Sequence, residues 1–356
     1  MHNNIAIITL RHNTFRRALL FLMVVVASTG CSPPPEKRSE AEFLLGTVID
    51  VTTYGEVPDS VFESVFERVR EIETRMSTSE EDYETTELME VNDAAGRSPV
   101  HVSEDTFEVV SQAVEYSRLT EGAFDVTVQP LVSLWGIGTE SAAIPEEEQI
   151  DAALAAVDYR RVDLEPATHS IYLPREGMGV DVGGIAKGYA ADEAERILRD
   201  AGVRWALLDF GGNILTIGTK PDGSHWRIGI QLPSPEASRG TYLGIVEVSD
   251  LAVVTSGTYE RYFEEDGIRY HHILDTDTGY PVRNSLESVT IITDVSMRAD
   301  ALSTAVFAMG LDGGRDFVET LDEVEALFVT KDKEVYFTSG MRDYFSLTSE
   351  EYTEAE

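Results

Sequence analysis

Between a helical stretch at about residues 185–201 and another at 297–309, the chain passes through a succession of short β-rich runs with no helix among them. The runs fall at 204–209, 213–219, 225–230, 242–248, 251–255, 269–275 and 288–293. Strands in series, with helices set apart from them, fit an α+β fold of mixed or antiparallel sheets with packed helices better than a doubly wound sheet. The earlier part of the chain follows the same plan. Phe43 to Tyr54 alternates as a strand. Asp59 or Ser60 caps a helix that turns Val61, Val65, Val69 and Ile72 to one face, and Ser103 caps another with Phe107, Val110 and Val114 inward. Met76 to Pro99 is polar and acidic and reads as a loop, Glu146 to Val157 as a short helix, and 159–164 and 170–174 as strands. The helix at 297–309 stops at Gly310, and a few short strands close the fold. With no internal repeat and no second linker, residues 42–349 are expected to form one domain, followed by a frayed acidic tail at 350–356.

The charge balance narrows the partners. The chain has 356 residues, 28 Lys+Arg against 64 Asp+Glu and a formal net charge of -36. Such a surface repels nucleic acid, and no basic stripe reverses it. It would also repel a phosphorylated ligand unless the site is locally cationic, which makes a bound metal ion attractive.

A single cysteine, Cys31, excludes an internal disulfide framework and a cysteine-based zinc site. Residues 1–30 carry Arg11, Arg16 and Arg17, no acidic residue, an apolar run from Ala18 to Ala27, and then Ser28-Thr29-Gly30 directly before Cys31. This is the pattern of a secretory signal, too short for a stable membrane span. Small residues before a cysteine resemble the lipobox of bacterial lipoproteins, which implies cleavage before Cys31, lipidation of its sulfur and display on the periplasmic face of a bacterial membrane. Residues 31–41 then read as a lipidated flexible tether.

Three segments could carry chemistry. In Val180 to Asp192 a strand-like end runs through Gly183 and Gly184 into a helix whose first turn bears Lys187. Free N–H groups there attract phosphate, although a Gly-Gly before a helix is by itself more often a packing turn. In Arg298 to Ala305, Asp300 and Thr304 stand four apart on one helix face and offer two hard oxygen ligands suited to magnesium. In Tyr270 to Pro281 a strand leads into a tight turn; His271 and His272 point to opposite faces, so at most one serves a given site as a base. Ser256 lacks a GxSxG context, which excludes a serine hydrolase.

These segments occur in a fixed order with three smaller ones: Gly122-Ala123-Phe124-Asp125, then Asp181 to Gly188, Gly211-Gly212-Asn213, Thr255-Ser256-Gly257, His272 to Gly279, and Ala299 to Thr304. The series resembles the FAD:protein FMN transferase family of the ApbE type over about residues 43–340. The resemblance implies FAD as substrate, with contacts from Ala123, Phe124, Asp125, Asp181, Lys187 and Leu274. It implies Mg²⁺ held by the side chains of Asp300 and Thr304 and the backbone oxygen of Gly184, with His272 as proton acceptor. It implies transfer of FMN to a threonine or serine hydroxyl of a membrane-associated redox subunit, with release of AMP. Two alternatives share these motifs: an FAD pyrophosphatase yielding FMN and AMP, and a non-catalytic FAD-binding lipoprotein. The chain departs from the family pattern at Leu45, where Met is usual, at Ser79, where an aromatic is common, and at Thr276, where Pro is usual.

Overall fold

The computed structural model describes residues 35–79, 82–233 and 240–355. The signal-like stretch and Cys31 lie outside the described residues. The first strands are β1 (Lys37–Leu44) and β2 (Thr47–Tyr54), antiparallel in register from Lys37↔Tyr54 to Leu44↔Thr47. Leu45 (φ 54) and Gly46 (φ 68) make the two-residue turn between them, which needs positive φ at both positions. The stretch read as one strand from Phe43 is therefore a hairpin, and its first strand begins inside the segment read as tether.

In chain order there follow α1 (Asp59–Met76), α2 (Glu87–Asp93), β3 (Val100–His101), α3 (Glu104–Leu119), α4 (Gln129–Trp135) and α5 (Glu147–Leu154). Next come β4 (Asp163–Glu165), β5 (Ser170–Tyr172), α6 (Ala186–Asp200), β6 (Ala206–Phe210), β7 (Asn213–Ile217), β8 (Trp226–Gln231) and β9 (Tyr242–Val248). The chain closes with β10 (Ala252–Gly257), β11 (Tyr262–Glu265), β12 (Ile268–His271), β13 (Leu286–Thr293), α7 (Ser296–Val318), β14 (Glu325–Thr330), β15 (Glu334–Phe337), β16 (Phe345–Leu347) and β17 (Thr353–Glu354).

A nine-stranded sheet runs β1-β2-β6-β7-β10-β13-β14-β15-β17. Its pairs are antiparallel except the last, where Thr353 pairs with Glu334. The acidic tail thus adds a strand instead of fraying, anchored by the buried Tyr352. Strand alternation feeds two cores. On one face, Ala252 and Val254 of β10 join Ile49, Val51, Leu208 and Phe210 against Phe62 and Val65 of α1, Ala190 and Ala194 of α6, and Leu302 and Phe307 of α7. On the other, Val253, Ile292 and Leu327 meet Trp226, Ile228, Leu243 and Val246 of the small β16-β9-β8 sheet. Each fully buried aliphatic or aromatic side chain contributes on the order of 1.5–3 kcal/mol. A third cluster of Leu131, Trp135, Ile150, Tyr270 and Leu274 ties α4 and α5 to β12 and the turn after it.

Local chemistry explains several departures from the sequence reading. Pro58, not Asp59 or Ser60, occupies the N-cap of α1, with fixed φ and no side-chain cap; Asp59 sits in the first turn. In the segment read as a loop, Thr86 accepts from Met89 N and starts α2. Gly310 (φ 78, ψ -177) breaks α7 where a stop was expected, but a further helical stretch continues to Val318.

Helices α6 and α7 cross closely. A methyl group at Gly188 would lie 2.5 Å from both Ser296 O and Met297 Cα, so only glycine allows this crossing. Gly188→Ala is expected to cost about 1–3 kcal/mol by overpacking. The check is the urea midpoint; a wild-type value would contradict so tight a contact.

Candidate active site

Each motif segment is bonded to another. Asp181 N donates to Val126 O at 2.8 Å, joining the Gly183-Gly184 turn to the segment after Phe124-Asp125. Gly188 N donates to Asp300 Oδ2 at 3.0 Å, joining that turn's helix to α7. Ser303 and Ser256 hydroxyls meet at 2.8 Å, which brings in Thr255-Ser256-Gly257. Ser296 Oγ donates to Asn213 Oδ1 at 2.6 Å, which brings in the β6–β7 turn. Thr276 Oγ1 donates to Gly122 O at 2.7 Å, which fastens the segment after His272 to Gly122-Asp125. Stretches far apart in sequence therefore form one interlocked cluster.

At its centre stand Gly184, Lys187, Asp300 and Thr304. A methyl group at Gly184 would be 3.2 Å from a Phe124 ring carbon and 3.5 Å from Thr304 Oγ1, so a bare backbone faces both. Asp300 is buried, and with Oδ2 bound to Gly188 N its Oδ1 stands 3.8 Å from Lys187 Nζ. Lys187 Nζ also donates to Gly183 O at 3.2 Å. A carboxylate, a hydroxyl and a backbone carbonyl are three hard oxygen donors, the set that suits a cation completed by water and substrate phosphate. Among the described residues no cluster of three or more His, Cys, Asp or Glu side chains could hold a metal, so a site here relies on one carboxylate and on the ligand.

The remaining candidate contacts differ in how open they are. Asp181 accepts from Gly183 N at 2.8 Å and from Thr78 Oγ1 at 3.2 Å, which fixes the glycine turn. Asp125 is buried, and its two oxygens accept from Thr127 N and Oγ1 and from Tyr159 N, so it organises the Phe124 loop. Burial raises its carboxyl pKa, against the bonds from Thr127. Ala123 is partly buried against the main core, and Leu274 is buried in the third cluster, bridged to Pro281.

The two histidines separate, though not by strand alternation alone: β12 ends at His271, and His272 stands in the bend that follows. His271 faces the core edge-on to Phe307, and its Nε2 lies 2.9 Å from Val282 O. His272 N donates to Arg261 O at 3.1 Å, and His272 Nδ1 lies 3.3 Å from the same oxygen. A carbonyl only accepts, so the proton is on Nδ1 and Nε2 keeps its lone pair. His272 is partly exposed, but the protein crowded around its ring and the Arg261 charge lower its pKa, so the ring is a neutral acceptor at neutral pH. Glu260 is exposed, and loss of solvation of its carboxylate raises its pKa against the pull of Lys187 and Arg261. Glu260 and Arg261 were missed in the sequence, though they directly follow Thr255–Tyr259; nothing in their spacing marks them.

Burial likewise lowers the His271 pKa to about 4. Its neutral form is favoured only in the folded chain, so this stabilisation is full above about pH 6.5 and is lost as pH falls toward 4. At pH 5 the loss is about 2 kcal/mol. His271→Gln, which still donates to Val282 O, is expected to flatten the fall in Tm between pH 7 and 5. An unchanged slope would show that His271 is not the group responsible.

The chain matches the profile of the ApbE family over residues 45–328. It is 36% identical to the FAD:protein FMN transferase of Klebsiella pneumoniae strain 342, covering 86% of this chain and 94% of that one. It is 34% identical to the enzyme of the same name from Treponema pallidum, covering 91% and 93%. Among solved structures it resembles the flavin transferase ApbE from Vibrio cholerae, with a TM-score of 0.78 and 30% identity over 88% of this chain and 100% of that one. With six motif segments folded into one site and a family match that spans them, the chain belongs to the ApbE family.

Proposed function

We propose that the protein transfers FMN from FAD to a threonine hydroxyl of another protein, in a Mg²⁺-dependent reaction at the Gly184–Asp300–Thr304 corner. The observation that carries this reading is the meeting of Gly184, Lys187, Asp300 and Thr304 at one corner of a chain of net charge -36, with the neutral His272 close enough to feel the Lys187 charge. Gly184 O, Asp300 Oδ1 and Thr304 Oγ1 would hold the cation, and Lys187 would face the phosphates. Bound Mg²⁺ would supply neutralisation of charge on the phosphate oxygens. Phe124, beside Gly184, would pack against the nucleotide. The acceptor hydroxyl attacks the phosphorus on the FMN side of FAD. The new bond is from that oxygen to phosphorus, the bond to the bridging oxygen breaks, and AMP leaves. His272 Nε2 takes the hydroxyl proton. The flavin ring is cargo and undergoes no redox change.

The expected setting follows from the N-terminal sequence. Arg11, Arg16 and Arg17, the apolar run and the small residues before Cys31 support export and lipid anchoring on the periplasmic side of a bacterial membrane. No described helix is long and apolar enough to cross a membrane. Membrane-associated redox subunits bearing an acceptor threonine are the fitting partners.

The test mixes the soluble domain with FAD, Mg²⁺ and a redox subunit bearing such a threonine, and reads flavin fluorescence in a denaturing gel together with AMP. Labelled protein and AMP in equal amounts are expected. AMP without labelled protein would make the enzyme a pyrophosphatase, and neither product would make it a carrier.

A further inference from the structure

We propose that Asp192, on α6, is the positioning residue of the site: it holds the first turn of α7 against α6 and so sets where Asp300 stands. The inference rests on the reading of Asp300 as a cation ligand. Neither helix caps itself. The N-cap residue of α7 is Val295 and that of α6 is Ile185, and neither makes a side-chain cap. Each helix is instead capped by a carboxylate of the other. Asp192 Oδ1 accepts from Ser296 N at 2.8 Å and Oδ2 from Met297 N at 2.9 Å. In return, Asp300 Oδ2 accepts from Gly188 N in the first turn of α6. Between these two contacts lies the Gly188 crossing, where backbone meets backbone with no room for a methyl group.

Geometry connects this pair of caps to the site. Asp300 lies one turn beyond Ser296 and Thr304 one turn further, on the same helix. Lys187 and Gly184 are fixed to the start of α6. A shift of α7 along α6 would therefore separate Asp300 and Thr304 from Gly184, while leaving both helices intact. Binding two N–H groups fixes the register and the rotation of α7, which one neutral cap on α7 itself would not do. Burial raises the Asp192 carboxyl to about 7, opposed by the two N–H groups. Such a group is costly to keep in the interior, where a serine at position 295 would serve as an ordinary cap.

That comparison supplies the test, run at about pH 8. Asp192→Asn keeps one acceptor but sets an amide against the second N–H. It is expected to lower Tm and to weaken Mn²⁺ binding, followed by electron paramagnetic resonance without turnover, by about tenfold or more. FAD affinity without metal should stay within about twofold. Adding Val295→Ser gives α7 its own cap. The double variant is expected to regain most of the lost Tm but not the Mn²⁺ affinity. Recovery of both by Val295→Ser would reduce Asp192 to a cap, and wild-type Mn²⁺ affinity in Asp192→Asn would remove its role altogether. Failure of both variants to fold would make Asp192 a folding residue and would equally overturn the proposal. A wild-type protein that binds no Mn²⁺, or an Asp300→Ala variant that binds it normally, would instead defeat the underlying reading of Asp300.

Discussion

Asp300→Ala is expected to reduce FMN transfer by at least about a thousandfold. Asp300 is the one carboxylate in the proposed donor set. Without it the corner offers a hydroxyl and a carbonyl, neither of which carries charge to balance a divalent cation. The substitution has a second consequence, because Gly188 N loses its acceptor. An unpaired buried N–H costs about 1–3 kcal/mol, so Tm should fall too. Asp300→Asn separates the effects. Its amide oxygen can still accept from Gly188 N while the charge is gone. Its Tm should stay closer to wild type and its activity should be lost to a similar degree. Transfer at a wild-type rate in either variant, at saturating Mg²⁺, would contradict the assignment.

His272→Ala is expected to slow transfer by about 10²–10⁴-fold, the range typical of losing a general base. FAD affinity should be preserved, since His272 is assigned to the acceptor hydroxyl and not to the nucleotide. Its lowered pKa also fixes the sign of a pH effect. A base whose pKa lies below the usual imidazole value is expected to show no loss of activity near pH 6.5 attributable to His272. Single-turnover rates at saturating FAD, with fluorescence titration of binding, check both points. A rate near wild type would remove His272 from the chemistry, and a large loss of FAD affinity would make it a binding residue.

The fold class was legible because strands in series and helices apart from them leave few layouts. Boundaries that depend on one or two residues were legible in part. Gly310 marked a break, but not that helix resumes after it. Leu45-Gly46 hid a hairpin turn because leucine rarely adopts positive φ. Helix α4 escaped because seven residues are too few to show a period; Trp135, which anchors it, donates to Gly279 O, a contact no local pattern encodes. The terminal strand depends on β15, so nothing within residues 350–356 announces it.

For the site, residue type and order pointed to segments that the fold brings into contact, and His271 and His272 do part company, although β12 ends at His271. What the sequence could not convey was which groups had already found partners. Asp125, read as a ligand contact, also accepts from Thr127 and Tyr159 and so holds its own loop. Asp192 closes the Val180–Asp192 segment without any evident part in it, and its role depends on backbone 104 and 105 residues away. Pairings at that distance are made by the crossing of two helices, and only the folded chain reveals them.

The most direct test of the whole account is a crystal grown with FAD and Mn²⁺, with diffraction recorded at the manganese absorption edge. The expected result is an anomalous peak within about 2.5 Å of Asp300 Oδ1, Thr304 Oγ1 and Gly184 O, shared with a phosphate oxygen of FAD. A peak elsewhere, with the pyrophosphate remote from Asp300 and Thr304, would contradict it.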